Sequence, residues 1–245
     1  MTLSVKPYLR SISLKRDHVP SFDEYPFNIP AITSLESIEF HADVTFFVGE
    51  NGSGKSTLVE AIALAIGFSP EGGTKNVRLE TSATTSALHE YLKIVKGFAA
   101  PKDNYFLRAE SFFNVATYLD STGVMQAFDN RPIHARSHGE AFLAVLTQKL
   151  RGNGLYIFDE PEAALSPSRQ LAALSTIHQL VNDGSQFIIA THSPILLAYP
   201  GARILMLDQE GMKDVAYEDT EHYLVTKDFL NNRERMLHHL FANEE

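Results

Sequence analysis

The chain has 245 residues, 44% hydrophobic and 21% charged, so it can bury the core of one large domain and is typical of a soluble globular protein. It contains no cysteine, which excludes disulfides and thiolate metal sites and fits a reducing compartment. A net charge of −9 does not favour non-specific binding to a polyanion, although it is compatible with a local basic groove. Because we find neither a signal peptide nor an apolar run of membrane-spanning length, we expect a cytoplasmic protein without an integral membrane segment.

Alternating apolar and polar residues predict two half-buried antiparallel strands near the N-terminus, over Leu9–Leu14 and residues 35–40. Between them, residues 20–30 form a proline-marked loop with three aromatic side chains: Phe22, Tyr25 and Phe27. Such rings more often cover the edge of a core than stack on an adenine. The sequence leaves open which of them, if any, contacts a base.

A glycine-rich loop follows the apolar run Val44–Val48 and precedes a helical run that ends at Gly67. The loop reads Gly49-Glu50-Asn51-Gly52-Ser53-Gly54-Lys55-Ser56-Thr57. Its glycines let successive backbone N–H groups turn toward a phosphate, and the next helix adds the positive end of its dipole. Lys55 would reach the β- and γ-phosphates, and Ser56 would place its hydroxyl on Mg²⁺. Strand, loop and helix in this order predict a nucleotide-binding P-loop rather than a simple glycine turn.

Further elements alternate along the rest of the chain. The pattern predicts helices over residues 87–96, 111–118, 137–150 and 219–241, with two more that begin at Ser166-Pro167 and Ser193-Pro194. At the first of these, Ser166 would act as the cap and Pro167 would take the first helical position. It predicts strands over residues 105–108, 155–158, 187–190 and 203–207, and loops over residues 68–74 and 129–138. Strands that alternate with helices favour a mostly parallel sheet.

Two acidic residues, Asp159 and Glu160, follow the apolar run at residues 155–158. Because the carboxyl ends of parallel strands share one edge of a sheet, these side chains would lie near a phosphate held by the glycine loop. Asp159 is placed to hold Mg²⁺, in part through water, and Glu160 to orient or deprotonate the attacking water. The alternative is a solvated acidic pair at the end of a strand.

Four motifs occur in the order of an ABC-type ATPase. They are GENGSGKST at 49–57, SHGE at 137–140, FDEPEAALS at 158–166 and THSP at 191–194. The chain resembles that family from about Leu9 to Leu207. The motifs DEPEAALSP and THSP resemble those of the SMC- and RecF-like branch and of small AAA-type ATPases more than those of transporter subunits.

The resemblance implies roles for three further motifs. Ser137 and Gly139 resemble the signature motif, which contacts the γ-phosphate held by the opposite subunit, residues 164–166 resemble the D-loop, and His192 resembles the switch histidine. A serine hydroxyl at a helix N-terminus is a reasonable anion site, and a histidine at a strand end can donate to phosphate. Taken alone, SHGE is as simply explained as a helix cap, and His192 as a packed loop histidine.

Three features depart from the transporter pattern. The signature carries the acidic Glu140 where transporters have LSGGQ. The Q-loop glutamine has no clear counterpart; Glu110 lies where it is expected and would bind Mg²⁺ or its water, and Gln126 is a weaker candidate. The interval between Lys55 and Ser137 has no room for a long coiled-coil arm, so the chain resembles a head domain alone.

The expected fold is an α/β P-loop NTPase of ABC type, with a mostly parallel sheet flanked by helices, an N-terminal antiparallel β lobe and a helical lobe. We expect one domain over residues 1–245, with the β lobe and first core strand in 1–48, the helical lobe in about 68–150, core sheet in 151–207 and a helical region in 208–245. The resemblance implies a Mg²⁺-dependent ATPase that closes as a head-to-tail homodimer on ATP. It would couple ATP to DNA repair, to defence or to the task of a partner protein, so DNA or an effector protein would be the partner. Alternatives are a transporter's ATP-binding subunit and a nucleotide-gated switch for a nuclease or toxin.

Overall fold

The computed structural model describes residues 5–75, 85–112 and 137–242. The predicted helix at 111–118, Gln126 and most of the loop at 129–138 lie outside these ranges. The strands, in chain order, are β1 (Leu9–Leu14), β2 (Ser37–Glu39), β3 (Val44–Val48), β4 (Leu92–Lys96), β5 (Asp103–Arg108), β6 (Gly154–Asp159), β7 (Gln186–Ala190), β8 (Arg203–Asp208) and β9 (Gly211–Asp214).

Helices alternate with these strands through the core. They are α1 (Pro30–Thr33), α2 (Lys55–Ala65), α3 (His138–Ala144), α4 (Pro167–Asn182), α5 (Pro194–Leu197), α6 (Glu221–Asn231) and α7 (Arg233–Phe241). A π-helical turn at Val145–Lys149 continues α3, and a 3₁₀ turn at Pro161–Ala164 precedes α4. Among the helices of the described ranges, none has both the length and the hydropathy needed to cross a bilayer.

The central sheet has six strands in the order β5-β6-β7-β3-β8-β9. The first five run parallel, and β9 pairs antiparallel with β8. Every residue of β3, β6 and β7 is buried, as expected for strands covered on both faces, because apolar clusters pack on each side of the sheet. The mixed α/β fold with a mostly parallel sheet is therefore confirmed.

A second, three-stranded antiparallel sheet, in the order β2-β1-β4, forms the predicted N-terminal β lobe. Its third strand corrects a prediction, because residues 87–96 form a 3₁₀ turn at Ala87–Tyr91 followed by β4, not a helix. Ile94 pairs with Ile12 across the ladder, and Leu92 is buried two residues before it. Leu92 and Ile94 therefore alternate with exposed neighbours in a strand period, and β-branched Ile94 and Val95 favour this conformation.

The starts of α4 and α5 differ although their sequences look alike. The Ser193 hydroxyl accepts from the N–H groups of Ile195 and Leu196 and so caps α5. Ser166 occupies the predicted capping position of α4, with Pro167 next to it. Its hydroxyl makes no capping hydrogen bond and lies 3.2 Å from the Ser168 hydroxyl, so the position is confirmed but the side-chain contact of a cap is not formed.

Phe187 in β7 tests how strongly the core determines stability. Its ring is fully buried, with centroids 5.1 Å from Tyr156 and 5.5 Å from Phe158. We expect Phe187→Ala to lower the free energy of unfolding by about 3–5 kcal/mol, because it removes a large apolar side chain and leaves a cavity. Urea denaturation followed by circular dichroism measures this. Phe98→Ala, at a ring that is 71% exposed, is the control and should change stability little; equal losses in both variants would contradict this account.

Candidate functional site

The carboxyl ends of three adjacent strands bring the predicted motifs together. In the parallel register Ala190 of β7 lies opposite both Phe47 of β3 and Asp159 of β6. Beyond the strands, the Glu160 N–H donates to the Ala190 carbonyl at 2.9 Å. The glycine loop, the acidic pair and the Thr191-His192 turn therefore leave the sheet side by side.

The glycine loop adopts a conformation that its glycines make possible. Gly49 has φ of 146° and Gly54 has φ of 97°, both in the range that side chains rarely adopt. A Cβ on Gly49 would clash with the Leu207 carbonyl, and one on Gly54 would lie 2.7 Å from Ile29 Cγ2. The Ser53 hydroxyl oxygen is buried without a hydrogen-bond partner among the described residues, so it retains a donor for an anion in the loop.

Lys55 lies at the start of α2 and is only 3% exposed. Its Nζ donates to the carbonyl oxygens of Gly49 at 2.8 Å and Glu50 at 2.9 Å. Burial lowers its pKa, while Glu160, Asp159 and Glu162 act in the opposite direction. The ammonium group therefore lies inside the loop, bonded to two neutral carbonyl oxygens. A phosphate bound there would attract it more strongly, because the phosphate carries a negative charge.

Asp159 and Ser56 form the contact at the centre of the site. The Ser56 hydroxyl donates to Asp159 Oδ1 at 3.0 Å. Burial raises the pKa of Asp159 to about 6, against the lowering effects of the Ser56 hydrogen bond and of Arg108. Groups of three or more His, Asp or Glu side chains suited to a metal are absent from the described residues. A hydroxyl with one carboxylate suits Mg²⁺, which fills its remaining positions with phosphate oxygens and water.

Glu110 lies beside this pair and forms an ion pair with Arg108. Its side chain is 82% exposed, and its carboxylate lies 3.2 Å from the Arg108 guanidinium. Both residues line a cavity of about 720 Å³ whose wall also includes Ser56, Asp159 and Glu160. Glu110 is therefore near the predicted metal pair, and Arg108 holds its carboxylate.

Arg108 is a site residue that the sequence prediction missed. At the end of β5, its guanidinium lies 2.5 Å from Glu60 of α2 and 3.9 Å from Asp159 Oδ2. It therefore joins the phosphate-loop helix to the acidic strand end. The available signal was a single arginine at the end of a predicted strand that runs to the same sheet edge.

Glu160 and His192 face each other at neighbouring strand ends. His192 Nε2 lies 3.6 Å from Glu160 Oε1. Glu160 has a left-handed backbone with φ of 50°, uncommon for a residue other than glycine, asparagine or aspartate, and this starts the turn at Pro161–Ala164. Burial lowers the pKa of His192, reinforced by Lys55 and His222, so the ring is neutral near pH 7.

Two more residues missed by the sequence prediction hold His192 in place. Glu162 accepts hydrogen bonds from the Thr191 hydroxyl at 2.7 Å and from the His192 N–H at 2.5 Å. His222, from the C-terminal region, places Nε2 at 2.9 Å from His192 Nδ1. The second glutamate of DEPE offered a signal for Glu162, whereas no local pattern marks His222.

Ser137 and Gly139 lie at the start of α3. Their contacts are with Glu140, Arg169 and Ala164 of the same chain. Ser137 and Glu140 form a capping box, in which each side chain accepts from the other residue's N–H. Arg169 of α4 donates to the Ser137 hydroxyl at 3.2 Å. A Cβ on Gly139 would lie 2.7 Å from the Ala164 carbonyl, so a glycine lets the predicted signature approach the predicted D-loop.

Comparisons with known proteins address the family. A model described as "AAA domain" matches residues 27–119, and one described as "AAA domain, putative AbiEii toxin, Type IV TA system" matches residues 129–198. The energy-coupling factor transporter ATP-binding protein EcfA2 of Methanospirillum hungatei is 25% identical and aligns with 80% of this chain. An uncharacterized ABC transporter ATP-binding protein of Haemophilus influenzae is 24% identical and aligns with 73% of this chain and 76% of its own length.

The AAA-domain matches and the similarity to ABC transporter ATP-binding proteins support the predicted ABC-type P-loop ATPase. The chain spans 55% of the length of the Methanospirillum relative. Among solved structures, the SMC head domain from Thermotoga maritima aligns with 85% of this chain and 98% of its own, with a TM-score of 0.47 and 15% identity.

The three aromatic residues of the N-terminal loop have separate environments. Phe27 is buried and packs edge-to-face on Tyr91, with centroids 5.0 Å apart, and Phe22 lies under the Arg16 guanidinium. Tyr25 is 65% exposed, and its hydroxyl lies 3.4 Å from the Thr57 hydroxyl, next to the phosphate loop. Of the three rings, Tyr25 is the exposed one, and it lies beside the phosphate loop.

The raised pKa of Asp159 predicts a pH-dependent stability in the protein without nucleotide. Folding raises this pKa from an ordinary value of 3.8 to about 6, so the native state binds the proton more tightly and loses stability as pH rises. Between pH 5 and pH 7.5, wild type should lose about 1 kcal/mol relative to Asp159→Asn, which cannot titrate. Urea denaturation without Mg²⁺ measures the difference.

Asp208→Asn is the matched control, because the hydrogen bond from Lys213 lowers the pKa of Asp208. That carboxylate stays ionised in both states across the same interval, so the difference between wild type and this variant should not change with pH. A constant difference for Asp159→Asn as well would show that burial does not raise the pKa of Asp159.

Proposed function

We propose that this chain is a Mg²⁺-dependent ATPase that acts in the cytoplasm and closes head to tail as a homodimer on two ATP molecules. The observation that carries this proposal is the Ser56–Asp159 contact, at 3.0 Å, between the phosphate loop and the strand end that bears Glu160. It brings a metal-binding pair, a phosphate-binding loop and a candidate base to one edge of the sheet.

Each residue has a distinct role in this proposal. The backbone N–H groups of the loop at 49–57 cradle the phosphates, and Lys55 turns from its carbonyl partners to the β- and γ-phosphates. Ser56 and Asp159 would hold Mg²⁺, which would supply positive charge to the phosphates, and Glu110 would accept a hydrogen bond from a water of that ion. Glu160 orients and deprotonates the attacking water, and neutral His192 donates to the γ-phosphate.

The second subunit supplies the remaining face of the site. Ser137 and Gly139 are held by Glu140, Arg169 and Ala164 of their own chain. Each pair would complete the γ-phosphate site of the partner with a hydroxyl and the N-terminus of α3. Hydrolysis would then depend on dimerisation.

The first experiment separates ATP binding from hydrolysis. Glu160→Gln should bind ATP and elute as a dimer in gel filtration with Mg²⁺ and ATP, while its hydrolysis falls at least about 100-fold through loss of the base. Lys55→Ala should lose nucleotide binding and elute as a monomer. An ATP-insensitive, monomeric Glu160→Gln, together with undiminished binding in Lys55→Ala, would contradict the proposal.

The second experiment tests whether the site is shared. Ser137→Asp keeps a good helix cap but sets a carboxylate against the partner's phosphate, and Ser137→Asn is the matched neutral control. Lys55→Ala and Ser137→Asp should each be inactive alone. Mixed in equal amounts, they should recover about a quarter of wild-type ATPase activity, because half of the dimers then contain one intact site. No recovery in the mixture would exclude the shared site.

The process that the ATPase drives has three candidates. The family description that names an AbiEii toxin favours a defence or DNA-linked role, with DNA or an effector protein as partner, or control of a nuclease or toxin. The transporter ATP-binding relatives favour a module that docks on membrane subunits. Hydrolysis rates measured with duplex DNA, and association measured with membrane fractions, separate these roles.

A further inference from the structure

His222 reaches the ATPase site from a part of the chain that the family resemblance does not cover. It lies in the first turn of α6, after the stretch at residues 9–207. Its Nε2 lies 2.9 Å from His192 Nδ1, and the ring centroids are 5.1 Å apart. Both side chains are half-buried, so this contact is shielded from competing water.

The start of α6 is anchored beside His192. The buried Thr220 donates its hydroxyl hydrogen to the Tyr217 carbonyl at 2.7 Å. Tyr217 in turn donates to the Pro194 carbonyl at 3.0 Å and stacks near Tyr223. Because Pro194 follows His192 by two residues, these contacts hold the His222 backbone against the turn that carries His192.

The hydrogen bond between two imidazoles requires one donor and one acceptor, so it selects a tautomer of each ring. If His192 Nδ1 donated, its Nε2 would present a lone pair to Glu160 Oε1, which is 3.6 Å away. If His222 Nε2 donates instead, His192 carries its hydrogen on Nε2, toward that carboxylate. The second arrangement is electrostatically favoured, because it replaces a lone-pair repulsion with an attraction.

Two further observations support this arrangement. Burial lowers the pKa of both histidines, so each ring carries a single N–H near neutral pH. His192 Nε2 is buried and makes no hydrogen bond within the described residues, so its hydrogen is available to a ligand. A donor aimed into the site is what a γ-phosphate oxygen requires.

We propose that His222 is a positioning residue that donates from Nε2 to His192 Nδ1 and thereby keeps the His192 hydrogen on Nε2, facing Glu160 and the γ-phosphate. This inference rests on the proposed function of the site. The proposed role of His222 makes α6 part of the ATPase mechanism. If α6 moved away, His192 would lose the hydrogen-bond donor that fixes its tautomer.

The test combines a spectroscopic and a kinetic measurement on the full chain. Long-range ¹H–¹⁵N spectra of protein labelled with ¹⁵N-histidine report which nitrogen of His192 carries the hydrogen, and His192→Asn assigns its signals. We expect Nε2–H in wild type and a mixture of tautomers in His222→Phe, which keeps a ring but has no donor. In the same variant kcat should fall about tenfold, with KM for ATP within about twofold.

Two variants control for loss of structure. His222→Gln keeps an N–H near the position of Nε2 and should restore most of kcat and the Nε2–H tautomer. His238→Phe, at an exposed histidine of α7, should match wild type in both measurements. Because the wild-type spectrum alone reports the tautomer, the inference is tested even if His222→Phe fails to fold.

Several results would overturn the inference. They are an Nδ1–H tautomer of His192 in wild type, an unchanged spectrum and kcat in His222→Phe, or equal losses in His222→Phe and His222→Gln. Failure of the proposed function looks different, because a wild-type protein that neither binds nor hydrolyses ATP would still give a tautomer spectrum.

Discussion

The burial of the Asp159 carboxyl group constrains the whole candidate site. It lies at the end of a fully buried strand, and one serine hydroxyl and an arginine 3.9 Å away do not offset its desolvation, so its pKa rises to about 6. Near pH 7 most of this group is nonetheless ionised, at a cost to the nucleotide-free fold. Under the proposed function, Mg²⁺ bound with phosphate relieves that cost, which couples nucleotide binding to stability.

The other carboxylates around Asp159 differ in their partners, and these partners separate their roles. Glu60 forms an ion pair with Arg108 and so connects α2 to the end of β5. Glu162 accepts hydrogen bonds from Thr191 and the His192 N–H and so connects the turn after β6 to the residues after β7. In the part of the chain that the structure describes, Glu160 instead has a partly exposed side chain whose ion-pair partner is the His192 ring, at 3.6 Å. A carboxylate with so few fixed partners keeps its lone pairs available to water, as a base requires.

Local sequence patterns predicted the elements whose causes are local. The glycine loop, the continuous apolar runs of β6 and β7, and the start of α5 at Pro194 each follow from neighbouring residues and appear where expected. Residues 87–96 were misassigned because Leu88, Leu92 and Val95 fit a helical period, whereas pairing with β1 decides the conformation. Arg108 and His222 could not be predicted, since each acts through residues distant in sequence. The roles of the site residues remain predictions.

The acidic Glu140 is the departure that most affects a shared site, because a carboxylate near the partner's γ-phosphate would repel it. In the structure Glu140 has a local role, since it accepts from the Ser137 N–H and so closes the capping box of α3. Arg169 of α4 lies 3.4 Å from the same carboxylate and also donates to the Ser137 hydroxyl. The guanidinium thus compensates the added negative charge and helps to orient the hydroxyl. In this chain, Glu140 and Arg169 together would take the place of the uncharged residues in the transporter signature, and they leave the N-terminus of α3 attractive to an anion.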